Sequence, residues 1–216
     1  VETGVLNKIK PETLRPGNYA GLAYVGTFCN VARTATMRPK VMNDRTISMV
    51  KLVTAEADIL SLTLSIRCIH QLSCSIENMT ALSVQNSLEL VRDVEHLLED
   101  HAELVAQISA FLFNITLDEE NHPVLVNQGI VMILFKFWND LAPPRTTNHR
   151  LICSAAGNLA CGKINSTRFV AEQGGKIICS IVQHYEDDPT LYRTCAASFR
   201  NLLYITSNQH QLVQDG

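Results

Sequence analysis

Histidine and cysteine are the residues of this 216-residue chain best suited to catalysis or metal binding, seven of each, and their spacing argues against both. His96 and His101 flank Glu99 and Asp100, and His70 precedes Gln71. No His-Glu-x-x-His step sets two imidazoles and a general base on one helix face. Cys29, Cys68, Cys74, Cys153, Cys161, Cys179 and Cys195 form no Cys-x-x-Cys pair and no ligand spacing with the histidines, so no metal site is expected. They read as small apolar core residues of a chain kept in a reducing compartment. Gly-x-Ser-x-Gly, Walker and Gly-x-Gly-x-x-Gly loops are absent, and Gly157, Gly162, Gly174 and Gly175 read as packing and turn residues. The expectation is a protein that is not an enzyme and needs no cofactor.

The chemistry that remains is that of the side-chain amide. Asn30, Gln71, Asn114, Asn158 and Asn201 follow one another at steps of 41, 43, 44 and 43 residues, and each is followed by Val, Leu or Ile. A carboxamide donates and accepts, so it matches one peptide unit of a bound segment, and a ladder of them reads backbone rather than side chains. The competing reading is that each amide bonds a carbonyl or the neighbouring repeat and merely fixes a turn. Gln71 keeps the amide on a stem one methylene longer.

Such a period must come from repeated elements. A second landmark, Val-x-x-Gly before an apolar run, stands at Val1–Gly4, Val126–Gly129 and Val213–Gly216, with Ala171–Gly174 a variant and with Arg45 and Asn86 at that place in two weaker copies. From Gly4 to Gly216 is 212 residues, or five intervals averaging 42.4. Within one period the apolar runs 131–138, 177–185 and 88–98 are too long for half-exposed strands and predict buried second helices. Breakers follow them: Pro143-Pro144, Asp187-Asp188-Pro189, and Pro11 and Pro16 in the first copy. Longer third helices over 59–74, 102–117, 148–161 and 190–205 then lead to the amide, with Asp188 as N-cap and Pro189 at the first turn of the last one. Short first helices are expected over 121–128 and 165–173, and residues 139–148 read as an inserted surface loop.

Composition narrows the partners. Hydrophobic residues make up 46% and charged residues 18%, enough for a sizeable core, and the net charge of −3 offers no footprint for nucleic acid. No apolar run reaches the length of a membrane span, and residues 1–10 lack the layout of a signal peptide. The expectation is a cytoplasmic protein without a transmembrane segment, cut from something longer in which a lipid anchor is compatible with everything seen. Asn78, Asn114 and Asn165 head Asn-x-Ser/Thr triplets that fit glycan acceptors in a secreted chain, a reading against which the helical setting of Asn114 argues.

Taken in register, Gly157-Asn158-Leu159-Ala160 with Gly174 and Phe113-Asn114-Ile115-Thr116 with Gly129 resemble armadillo repeats, as in importin alpha and beta-catenin. The resemblance covers residues 1–216 as a single domain. It implies an all-α, right-handed superhelix, an α-solenoid of about five three-helix repeats, whose third helices line a concave groove for an extended peptide. Four residues before each amide, where importin alpha carries tryptophan, this chain has Gly26, Arg67, Ala110, Ser154 and Ala197, and its one Trp138 lies in a second helix. Binding of nuclear-localisation signals is therefore not expected.

Stepping back four and eight residues also places Arg67, Arg150 and Arg193 on the groove face, with Arg200 nearby. Guanidinium pairs bidentately with carboxylate or phosphate, so the expected ligand is an acidic or phosphorylated segment of a protein or peptide. The alternative is pairing with Glu103 and Asp187-Asp188 of the same chain. The candidate site is thus Asn30, Arg67, Gln71, Asn114, Arg150, Ser154, Asn158, Arg193 and Asn201. The expected function is an interaction scaffold or adaptor. Its rivals are a structural tile of a cytoskeletal or membrane-tethered assembly, using convex or edge surfaces, and a regulator of a small GTPase.

Overall fold

In a computed structural model of the chain, residues 19–55, 58–98, 101–140, 146–185 and 187–215 are described, and they form helices and turns without strands. The helices are α1 (Tyr19–Ala32), α2 (Arg38–Val41), α3 (Thr46–Thr54), α4 (Ile59–Ser73), α5 (Met79–Val84), α6 (Leu88–Val94) and α7 (Ala102–Ile115). They continue as α8 (His122–Asn127), α9 (Ile130–Asp140), α10 (Thr146–Leu159), α11 (Lys163–Ala171), α12 (Gly174–His184), α13 (Pro189–Leu203) and α14 (Thr206–Asp215). The order is a short first helix, a second and a long third, repeated as α2–α4, α5–α7, α8–α10 and α11–α13. Helix α1 stands in the place of an earlier third helix, and α14 in that of a later first one. The landmarks at Val1–Gly4, Pro11 and Pro16 lie outside the described residues.

The chain divides into two units inside α7, after Phe111. In the first, α1 lies along α4 while α3 packs beneath both, burying Val25, Phe28, Ile47, Val50, Ile66 and Ile69. In the second, α10 lies along α13, and α12 supports it with Ile177, Ile178 and Ile181. The long apolar run of α9 is a helix that buries Ile130, Val131, Leu134 and Phe137 and leaves Met132 exposed, and Trp138 Nε1 donates to Ser180 Oγ at 2.7 Å. The buried positions recur at three- and four-residue steps, while Met132 and Lys136, one turn apart, mark the exposed stripe.

The predicted loop 139–148 is shorter than expected. Helix α9 continues to Asp140 and α10 begins at Thr146, which leaves 141–145 outside the described residues. The β-branched stretch 164–170 is helix α11, with Phe169 and Val170 buried. Asp188 caps α13 as predicted, its Oδ1 accepting from the backbone N–H of Thr190 at 3.0 Å and Leu191 at 3.1 Å.

Register at the head of the second helix needs one correction. The left-handed residues are Asn86 (φ 52°), Gly129 (φ 77°) and Gln173 (φ 66°), so in the α11–α12 turn the special backbone belongs to Gln173 and not to Gly174. Gly174 is instead required for contact, since a Cβ there would lie 2.4 Å from the Phe169 ring. Arg45, assigned to the same landmark, has an ordinary φ of −112°.

A device invisible in the amide ladder closes the third helices. Side chains six residues further along bond carbonyls near their ends: Arg38 Nε to Ala32 O (2.9 Å), Asn78 Nδ2 to Leu72 O (3.0 Å), His122 Nε2 to Thr116 O (2.8 Å) and Asn208 Nδ2 to Leu202 O (3.2 Å). These are carbonyls a helix end leaves orphaned. Asn78 is 1% exposed and Asn165 7%, so neither presents its amide to a glycosylating enzyme in the folded chain.

Candidate interaction faces on the third helices

Each candidate residue sits on a third helix, but its neighbours differ between the two units. In the first unit Asn30 on α1 is exposed, while Arg67 and Gln71 on α4 are half-buried one turn apart. These three line one cavity of about 350 Å³. Arg33, Leu64 and Gln107 complete its wall, and Gly26 forms an open floor where an added Cβ would meet nothing within 4 Å. Among the described residues no carboxylate lines it.

Arg67 forms an ion pair with Glu103, with the arginine side chain 35% and the glutamate 61% exposed. Gln107 Oε1 is bonded to His70 Nδ1. Burial holds the His70 imidazole below its usual range, opposed by that bond. Cys29 is buried in the wall. Its thiol is pushed up by burial, while the Arg67 and Arg33 guanidinium groups pull it down.

In the second unit the arrangement is more self-contained. Arg150 on α10 is exposed and donates from Nε (3.1 Å) and Nη2 (2.7 Å) to Asp188 Oδ2. The same carboxylate caps α13, and the Arg150 guanidinium, with the α13 N–H groups, holds it below the usual carboxylate range. Arg193 is exposed and donates from Nε to Pro189 O at 3.3 Å within its own helix. Of the two readings of the arginines, pairing within the chain therefore holds for Arg67 and Arg150.

The amides are likewise drawn inward. Asn158 Nδ2 donates to Thr116 Oγ1 at 3.1 Å, and Asn201 Nδ2 to Cys161 Sγ at 3.3 Å. Asn114 and Ser154 are half-buried. Asn201 also lines a cavity of about 670 Å³ with Lys163 and the exposed Tyr204, and Arg150 a cavity of about 690 Å³ with His184 and Asp188.

Sequence reasoning missed Arg33 and Gln107. Arg33 lies three residues after Asn30, and Gln107 lies seven before Asn114, both steps that return to the same helix face. Counting only four and eight residues backward passed over them. The cysteines are more varied than expected: Cys29, Cys68, Cys153 and Cys195 are buried, Cys161 and Cys179 half-buried, and Cys74 exposed. Cys153 and Cys195 meet with their sulfurs 3.3 Å apart as free thiols between α10 and α13, and that contact, with burial second, pushes the Cys153 thiol up. Among the described residues no single helix is long and apolar enough to cross a membrane.

The chain is similar over its length to solved designed structures. A designed armadillo repeat protein, YIII(Dq)4CqI, superposes with a TM-score of 0.69 at 15% identity, covering 99% of this chain and 86% of that one. Its fold is that of an armadillo-type repeat solenoid. Two engineered proteins solved by a structural genomics consortium agree: one at TM-score 0.72 and 15% identity over 100% of this chain and 87% of that one, the other at 0.69 and 17% over 99% and 83%. The chain matches no family model and no curated protein sequence.

Proposed function

We propose that this chain is a non-enzymatic protein-interaction scaffold of the armadillo family, working in the cytoplasm, that holds an extended segment of a partner against its third helices. The observation that carries the reading is the polar cavity of the first unit. Asn30, Arg33, Arg67 and Gln71 converge there on open space, while the apolar residues of the same helices turn to the core. Polar side chains that packing does not use, gathered on one face of a rigid helix pair, are what peptide capture requires.

The amides Asn30 and Gln71 supply backbone contacts, and the arginines favour an anionic segment. Asn114, Ser154, Asn158, Arg193 and Asn201 offer contacts of the same kind on the third helices of the second unit. The test uses the full chain, immobilised, against a pool of degenerate unmodified and phosphorylated peptides. Asn30→Ala combined with Gln71→Ala is expected to reduce retention by about tenfold while leaving the melting temperature within a few degrees. Unchanged retention would overturn the reading.

A further inference from the structure

We infer that the first-unit cavity lined by Arg33, Arg67, Asn30 and Gln71 is a recognition site for a phosphorylated serine or threonine in a partner segment, engaged by displacing Glu103 from Arg67. The inference rests on the scaffold reading above and narrows it to one unit and one anion.

Three observations lead there. Among the described residues two guanidinium groups and no carboxylate line a cavity of about 350 Å³, room for a phosphorylated side chain together with peptide units beside it. Among the described residues no carboxylate pairs with Arg33, so its charge is available. Cys29, Arg33 and Arg67 all line that one cavity, so both guanidinium groups border the same space.

The Arg67 partner is replaceable. Glu103 is 61% exposed, and an exposed pair of this kind contributes little to folding. Arg150 in the second unit is different. Its partner Asp188 also caps α13 through Oδ1, so a ligand that pulled Asp188 away would uncap a helix. The exchangeable cation is therefore Arg67, and the second-unit arginine is committed to structure.

Competition with Glu103 selects the anion. A carboxylate ligand carries the same single charge as Glu103 and would exchange like for like. A phosphate monoester carries about −1.5 to −2 at pH 7 with three acceptor oxygens, enough to engage Arg67 and Arg33 together. The Asn30 and Gln71 amides on either side then meet the peptide units flanking the phosphoresidue.

The experiment immobilises the full chain and compares three degenerate heptapeptide pools, identical in their flanks, with phosphoserine, glutamate or serine at the centre. Expected is retention of the phosphoserine pool about tenfold tighter than the glutamate pool. Arg33→Gln and Arg67→Gln should each weaken it by about tenfold, Arg150→Gln should leave it unchanged, and Glu103→Gln should strengthen it several-fold. Melting curves check that each variant folds. Equal retention of the phosphoserine and glutamate pools overturns the phosphate assignment. Equal retention of all three pools, lost in the Asn30 and Gln71 variants, overturns the anion site and leaves the scaffold reading standing. Retention of none overturns both.

Discussion

Asn158 Nδ2 donates to Thr116 Oγ1 across 3.1 Å, tying the third helix α10 to the residue just past the end of α7. Thr116 is fully buried and its hydroxyl donates in turn to Phe113 O at 2.8 Å, so the amide ends a short hydrogen-bonded chain. The residue that best marks the repeat in sequence is thus a bridge between repeats in structure. Asn158→Ala and Thr116→Val should each cost about 0.5–1.5 kcal/mol by urea denaturation. The double variant should cost less than the two together, and strict additivity would show that the bridge contributes nothing.

Asn78 is expected to matter more than any of the ladder amides. It is 1% exposed and its Nδ2 donates to Leu72 O at 3.0 Å and Arg38 O at 3.2 Å, joining the end of α4 to the head of α2. Replacing it with Ala strands two acceptors, at a cost of about 1–3 kcal/mol measured by chemical denaturation. Asn208→Ala, which loses one such bond to Leu202 O, should cost less.

Three glycines should answer differently to alanine. At Gly26 the new Cβ meets nothing within 4 Å, so the helix gains up to about 1 kcal/mol. At Gly157 the methyl comes 2.7 Å from Ser198 Oγ, which must leave its bond to Thr194 O to make room, so the gain in helix propensity is offset and the change should be close to neutral. At Gly174 it comes 2.4 Å from the fully buried Phe169 ring, which has nowhere to go, and about 1–3 kcal/mol should be lost. Thermal melts of the three variants test the ranking.

Asp188 predicts a pH dependence with a definite sign. Its folded carboxyl titrates below the ordinary value, first because of Arg150 and then because of the α13 N–H groups. Its contribution is therefore complete above the ordinary carboxylate pKa of about 4 and disappears as the pH falls through the folded value. Asp188→Asn, which keeps a capping oxygen but loses the charge, should lower the melting temperature at pH 7 and converge with the unaltered protein in acid. Asp188→Ala should lower it further, and a gap that stayed constant between pH 7 and pH 2 would contradict the assignment.

Sequence by itself determined the repeat and its helices. Leu72, Ile115, Leu159 and Leu202, each following a ladder amide, are fully buried, because apolar side chains at a fixed step have only one stable place to go. Asp188 and Pro189 announced the start of α13 by local chemistry that acts within a few residues. What only the tertiary structure decided is where the polar ends of the side chains go. The amides of Asn158 and Asn201 and the guanidinium of Arg150 find partners 42, 40 and 38 residues away, separations at which neighbouring third helices face each other. Asn78, which heads one of the Asn-x-Ser/Thr triplets, is buried because an orphaned carbonyl six residues back needs its donor. Burial follows from a side chain's own character and period. A hydrogen-bond partner depends on the adjoining repeat as well, and that neighbour is set by packing rather than by the local sequence.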